Sequence, residues 1–149
     1  MSKILVKKIL LCYNLLIISL NYLKKNQTEV FDLQKEVHED MKANFDKYPK
    51  KWGLKKPDTN IDHRRVPNLM VFFARKGTVK NISTDAKDYI PGDIVCWDLG
   101  GGITHIGIVS NRKSPDNKRY MIIHNIGQGQ VLEDCLFRFK IIGHYQYKL

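Results

Sequence analysis

The chain has 149 residues, with 25 Lys+Arg against 15 Asp+Glu for a formal charge of +10, and is 43% hydrophobic and 27% charged. That length suits one domain with its own core, and the composition excludes a disordered, collagenous or low-complexity protein. The three cysteines, Cys12, Cys96 and Cys135, form no CxxC pair, which excludes a zinc-knuckle spacing and a disulfide framework and leaves a free thiol.

Residues 9–25 read as a first helix, too apolar around its circumference to lie on a surface. Lys7-Lys8 and the run ILLCYNLLIISLNYL have the basic and apolar parts of a secretory signal, but no small-x-small cleavage site follows. At about 15 residues, broken by Asn14, Ser19 and Asn21, the run falls short of the roughly 20 that a spanning helix needs, so no stable membrane span is expected. Residues 32–45 read as a second helix, with Leu33, Val37, Met41 and Phe45 on one face. Residues 48–65 contain Pro49, Gly53 and Pro57, show no period, and read as a loop long enough to carry function. Pro67 opens a third helix over residues 68–76, stopped by Gly77.

After Pro91-Gly92 the pattern becomes that of strands: DIVCWDL, a turn at Gly100-Gly101-Gly102, HIGIVS, a polar loop, RYMIIHN and RFKIIGHYQY. The middle pair is apolar on both faces, so both faces of the sheet are covered. Helices first and antiparallel strands after give a single α+β domain over residues 1–149, its N-terminal helices packed on the sheet. The triple glycine leads into a strand and not a helix, so it reads as a permissive turn and not a phosphate cradle.

The histidines carry the first chemical signal. With residues 111–118 as the loop, Ser110 pairs with Arg119 and His105 falls directly opposite His124, with Cβ atoms about 4.5–5.5 Å apart. A one-residue slip would set Asn125 opposite His105 instead. Touching imidazoles suit metal ligation, with Asp93, Asp98 or His63 as third ligand, or a general base held by an orienting partner. No HExxH or comparable cluster supplies a third ligand at a set spacing, so no metal or other cofactor is expected. His38 and His144 read as structural or merely exposed, and Cys96 and Cys135 as inert apolar residues.

Cys12 differs, because the early turns of a helix stabilise a thiolate. It is the candidate nucleophile, with His105 as base and His124 orienting it: a nucleophile on a helix against a base on a sheet, as in papain-like enzymes. Asp62, His63, Arg64 and Arg65 read in two ways. They line a substrate groove, with the arginines gripping carboxylates in bidentate fashion, or they pair with one another and fix the loop.

PGDIVCWDLGGGITHIGIVS followed by MIIHNIG resembles the NlpC/p60-type branch of papain-like cysteine peptidases. With DLQKEVHEDMKANFDKYPKKWGLKKPDTNIDHRRVPNL added, residues 32–147 more closely resemble the bacterial domain-of-unknown-function family 1287. The resemblance implies a papain-like fold, a periplasmic or extracellular location, and a cysteine peptidase or amidase acting on peptidoglycan or other peptides. It also implies Cys12, His105 and His124 as catalytic residues, beside which Asp62, His63, Arg64, Arg65 and Asn125 are candidate substrate contacts read from their own positions. Family members carry Gly-Val-Cys-Thr-Asp at the start of the first helix, where this chain has Leu-Leu-Cys12-Tyr-Asn. Residues 1–31 are therefore expected to be a divergent or truncated helix.

Three rivals stay open: an inactive module that binds wall peptides or an acidic polymer, a metal-dependent hydrolase built on the two histidines and, more weakly, a nucleic-acid-binding protein suggested by the charge of +10. The basic residues fall in dispersed pairs (Lys7-Lys8, Lys24-Lys25, Lys50-Lys51, Lys55-Lys56, Arg64-Arg65), so no specific nucleic-acid binding is expected.

Overall fold

The computed structural model describes residues 32–126 and 129–148, so the expected first helix and Cys12 lie outside the described residues. Helix α1 spans Leu33–Ala43, capped by Asp32, whose carboxylate accepts the Lys35 N–H at 3.1 Å. Leu33, Val37 and Met41 bury one face, as the spacing predicts. The helix stops short of Phe45 because the Asn44 amide folds back onto Asp40, and Phe45 opens a short 3-10 turn. Helix α2 spans Val66–Lys76, with Pro67 in its first turn and the Gly77 N–H closing on the Phe73 carbonyl. The stretch expected to be a featureless loop contains two further 3-10 turns, Lys51–Gly53 and Asp62–Arg64.

Six strands follow among the described residues: β1 Thr78–Val79, β2 Ile94–Asp98, β3 Thr104–Lys113, β4 Tyr120–Asn125, β5 Gln130–Glu133 and β6 Lys140–Gln146. They form one antiparallel sheet in the order β1-β6-β2-β3-β4-β5. The domain is α+β, as expected. β1 and β5 were not legible: they are short, and nearly all their residues are exposed. Gly100, Gly101 and Gly102 all take positive φ (89°, 62° and 77°), so the triple glycine is the turn its context indicated.

The two faces of the sheet bury different cores. Ile94, Cys96, Ile106, Ile108 and Tyr145 meet Leu33, Val37, Leu69, Phe72 and Phe73 of the helices. Val95, Trp97, Val109 and Ile122 face the other way, under Tyr89 and Leu136. Both faces are covered, as the apolar middle strands required.

The β3–β4 register corrects the sequence reading. His124 pairs with Gly107, not with His105, and Lys113 with Tyr120, across a bulge. β3 runs on into the expected loop because a tighter turn closes it. The Ser114 hydroxyl donates to Asp116 at 2.6 Å, and the Ser114 N–H donates to the Arg119 carbonyl at 2.8 Å. Ser110 therefore does not face Arg119. The offset from the expected register is two residues, which preserves face parity in a structure of period two. His105 and His124 stay on one face, as diagonal neighbours.

A buried clamp ties β6 to the start of β2. His144 lies 2.7 Å from Asp93 through Nε2 and 3.0 Å from the Asn81 carbonyl through Nδ1, with Tyr89 stacked on its ring. Both ring nitrogens are thus engaged by buried or backbone oxygens, which fixes the orientation of the ring. The structural role expected for His144 is the one observed.

Candidate functional site

His105 stands near the start of β3, opposite Trp97 of β2, on the face turned away from α1 and α2. Gly107, two residues on, lies directly opposite His124 and supplies no side chain there. A Cβ on Gly107 would come within 2.7 Å of Ile122 Cγ2 and 3.1 Å of His124 Cβ. This close approach lets the His124 ring lean along the strand toward His105. The rings meet nearly perpendicular, with centroids 5.1 Å apart, and Nε2 of His105 is 2.9 Å from Nδ1 of His124.

The line continues into β5. Glu133 pairs with Ile122, which makes it the diagonal neighbour of His124 on the other side. Its Oε2 lies 3.0 Å from His124 Nε2, and its Oε1 accepts from Arg138 at 2.7 Å. Asp134 is gripped by both ends of the Arg119 guanidinium at 2.6 Å each, which fixes the turn after β5. Trp97 donates its indole N–H to the Leu136 carbonyl at 2.8 Å, holding the same turn over the histidines. That turn carries Cys135, whose Sγ sits 3.5 Å from His124 Nε2.

Burial sets the electrostatics. It lowers His105 to about 4, with the neighbouring His124 adding to the effect. It lowers His124 as well, against the pull of Glu133. The Arg138 hydrogen bond keeps Glu133 below the usual carboxylate range, while burial pushes the Cys135 thiol up to about 11. At neutral pH both imidazoles are uncharged, Glu133 is ionised and Cys135 holds its proton. His105 is therefore in the state that can accept a proton. His124, Glu133 and Cys135 place an imidazole nitrogen, a carboxylate oxygen and a sulfur within 4.8 Å of one another, a donor set that suits a zinc-like divalent cation once the thiol is deprotonated.

None of the third metal ligands considered from sequence joins this cluster. Asp93 is held by His144, Asp98 accepts the Gly100 N–H at 2.8 Å, and His63 is buried beside the helices. Asn125 follows His124 in the strand and so points to the opposite face; it cannot stand in as the partner of His105.

Asp62, His63, Arg64 and Arg65 gather around a different centre, between α1 and α2 on the helical side. Asp62 accepts from the Asp58 N–H and from Arg65, the latter at 3.2 Å, and Arg65 lies over the Trp52 ring at 4.2 Å. Arg64 Nε–H donates to His63 at 3.3 Å. Burial pushes Asp62 up and lowers His63 to about 4. These contacts match the reading in which the four residues fix their own loop.

Sequence reasoning missed Glu133 and dismissed Cys135, both for one reason. Residues 130–133 were not read as a strand, so nothing placed them beside His124. The available signal was a glycine pair, Gly127 and Gly129, followed by the alternation in QVLE.

Residues 21–147 match the family described as a domain of unknown function, DUF1287. The uncharacterized protein YijF of Escherichia coli (strain K12) is 50% identical over 121 residues, which cover 81% of this chain and 58% of that protein. The chain thus spans little more than half the length of that relative. No solved structure matches. Most of the chain, including every residue of the histidine cluster, falls within the matched region, and the chain belongs to the DUF1287 family.

Proposed function

We propose that this protein is a cysteine hydrolase of papain-like, NlpC/p60-type fold that cleaves an amide bond in peptidoglycan peptides outside the cytoplasm. The observation that carries the reading is the 2.9 Å contact between two buried imidazoles, one of them backed by a carboxylate. A pair of buried, neutral histidines is costly to assemble for packing alone, and it is what a general base with an orienting partner needs. Cys12 is the nucleophile in this reading. His105 takes the thiol proton, the thiolate adds to the amide carbonyl, and the same proton passes to the leaving amine. Water then hydrolyses the thioester, giving the acid and the restored thiol. No helix among the described residues is long and apolar enough to cross a membrane.

A second reading has its own observation: the donor set of His124, Glu133 and Cys135 suits a metal-dependent hydrolase. One experiment separates them. Muropeptides are incubated with the wild-type chain, Cys12→Ser and Cys135→Ser, with and without a chelator, and products are identified by mass spectrometry. Loss of cleavage in Cys12→Ser alone, insensitive to chelator, is expected. Cleavage that survives Cys12→Ser but fails with chelator or with Cys135→Ser sinks the cysteine reading. Retention of muropeptides with no cleavage by any form leaves a binding module.

A further inference from the structure

We infer that Glu133, held by Arg138, is a positioning residue that fixes the tautomers of both histidines and makes Nδ1 of His105 the basic atom of the site. The inference rests on the reading of His105 as general base, but its first step is a matter of counting protons. An ionised carboxylate can only accept, so the 3.0 Å contact from Glu133 requires a hydrogen on His124 Nε2. A neutral imidazole carries one N–H, so Nδ1 of His124 is an acceptor. Nε2 of His105, 2.9 Å away, must then be the donor, and the accepting lone pair of His105 falls on Nδ1. The reverse assignment would set a bare Nε2 lone pair of His124 against the carboxylate at 3.0 Å, acceptor against acceptor. Cys135, at 3.5 Å with a weakly accepting sulfur, does not compete with the carboxylate for that hydrogen.

Arg138 is what makes the count one-sided. It binds Oε1 at 2.7 Å, so Glu133 stays ionised and its Oε2 stays turned to His124. When His105 gains a proton at Nδ1, its Nε2–H still donates to His124, which still donates to Glu133. No proton in the line has to move. Among the described residues, the line is flanked by Cys135, Arg138 and the Asp134–Arg119 pair, with the Trp97 ring against His105.

The test reads tautomers directly, by long-range 1H–15N spectra of the imidazole rings in the full chain near pH 7. The wild-type chain should show His105 and His124 both as Nε2–H tautomers. In Glu133→Leu the obligation is lifted and His105 should gain an Nδ1–H population, whereas Glu133→Gln, which can still accept through its amide oxygen, should largely keep the wild-type pattern. With a muropeptide substrate, Glu133→Leu should lower kcat by about 10²-fold or more with little change in KM. A circular-dichroism melt shows whether each variant is folded, and the wild-type spectrum decides the tautomer count even if Glu133→Leu fails to fold. An Nδ1–H tautomer of His105 in the wild-type chain overturns the inference. So do unchanged tautomers in a folded Glu133→Leu. Stoichiometric Co2+ binding with a thiolate charge-transfer band that Cys135→Ser abolishes also overturns it, because the metal would occupy the His124 lone pair at Nε2. If the tautomers are as expected but the wild-type chain cleaves nothing, the proposed activity fails while the proton-ordering role of Glu133 stands.

Discussion

His144 and His124 lie on the same face of one sheet, each within hydrogen-bond reach of a carboxylate, at 2.7 Å and 3.0 Å, yet they do different work. The second nitrogen of His144 meets a backbone carbonyl. Both its ring nitrogens are engaged by fixed oxygens, and nothing in the arrangement can change without breaking a buried bond. The second nitrogen of His124 meets another imidazole, a group that can donate or accept. The first arrangement is a clamp. The second is a line of hydrogen bonds with a defined direction, ending on His105. A carboxylate beside a histidine therefore says little about function until its other ring nitrogen is accounted for.

The sharpest way to break this comparison is to substitute each imidazole in turn. His105→Gln should lower turnover of a muropeptide by about 10²–10⁴-fold, the range associated with a lost acid–base group, with little change in melting temperature. His144→Ala should do the reverse. It strands the carboxylate of Asp93 in a fully buried position, and breaking such a pair costs about 3–5 kcal/mol. Chemical denaturation and single-turnover kinetics on both variants check the two halves. A stable, active His144→Ala would remove the clamp, and an unfolded His105→Gln would make that residue a structural one too.

Part of this was legible in the sequence. Leu33, Val37 and Met41 at helical spacing, Pro67 with Gly77, and the apolar run from Ile94 to Trp97 each indicated the element they form, because burial and backbone chemistry act locally there. The facing of His105 and His124 was legible for a weaker reason. The hairpin was set two residues out of register, and period-two alternation forgives an even error. Glu133 was not legible. It reaches His124 through β5, a four-residue strand with three exposed positions, where the alternation is too short to announce itself. Cys135 was hidden by the same gap, and Cys12 lies outside the described residues.

Acid sharpens the comparison next. Burial lowers His105 and His63 to about 4, and His124 in the same direction, whereas an unfolded histidine titrates near about 6.5. Between those values the unfolded chain binds more protons than the folded one, so stability rises with pH. Their contribution is complete above about 6.5 and is lost as pH falls through about 4. Asp40 acts in a lower window. Burial alone would raise it, but hydrogen bonds from Arg75, Tyr48 and Lys76 hold it at about 2, so its share is lost only below the ordinary value of 3.8. Asp62, pushed up by burial, opposes the histidines just above that value. Denaturation midpoints at pH 7, 5.5 and 4.5 should fall in that order, and His105→Gln combined with His63→Gln should flatten the slope. An unchanged slope would mean that these imidazoles are not buried as neutral groups. In the same chain, the acid limb of kcat/KM should lie near pH 4, well below that of an exposed histidine.

The smallest effect is expected from a single methyl group. In Gly107→Ala the new Cβ would come within 2.7 Å of Ile122 Cγ2 and 3.1 Å of both His124 Cβ and the Ile123 carbonyl. Backbone as well as side chain must give way, at a cost of about 1–3 kcal/mol. The displaced strand is β4, so the 2.9 Å contact between His105 and His124 should loosen while the clamp between β2 and β6 stays closed. Gly143→Ala is the matched control. Its Cβ would meet the Tyr145 ring at 2.7 Å, a similar crowding placed on β6 next to His144. Both variants should lose comparable stability in urea, but only Gly107→Ala should blur the His105 and His124 tautomers and slow turnover. If Gly143→Ala disturbs them equally, the close approach at Gly107 is not what aims His124. The two regions would then be coupled through the sheet, and the separation of clamp from relay would fail.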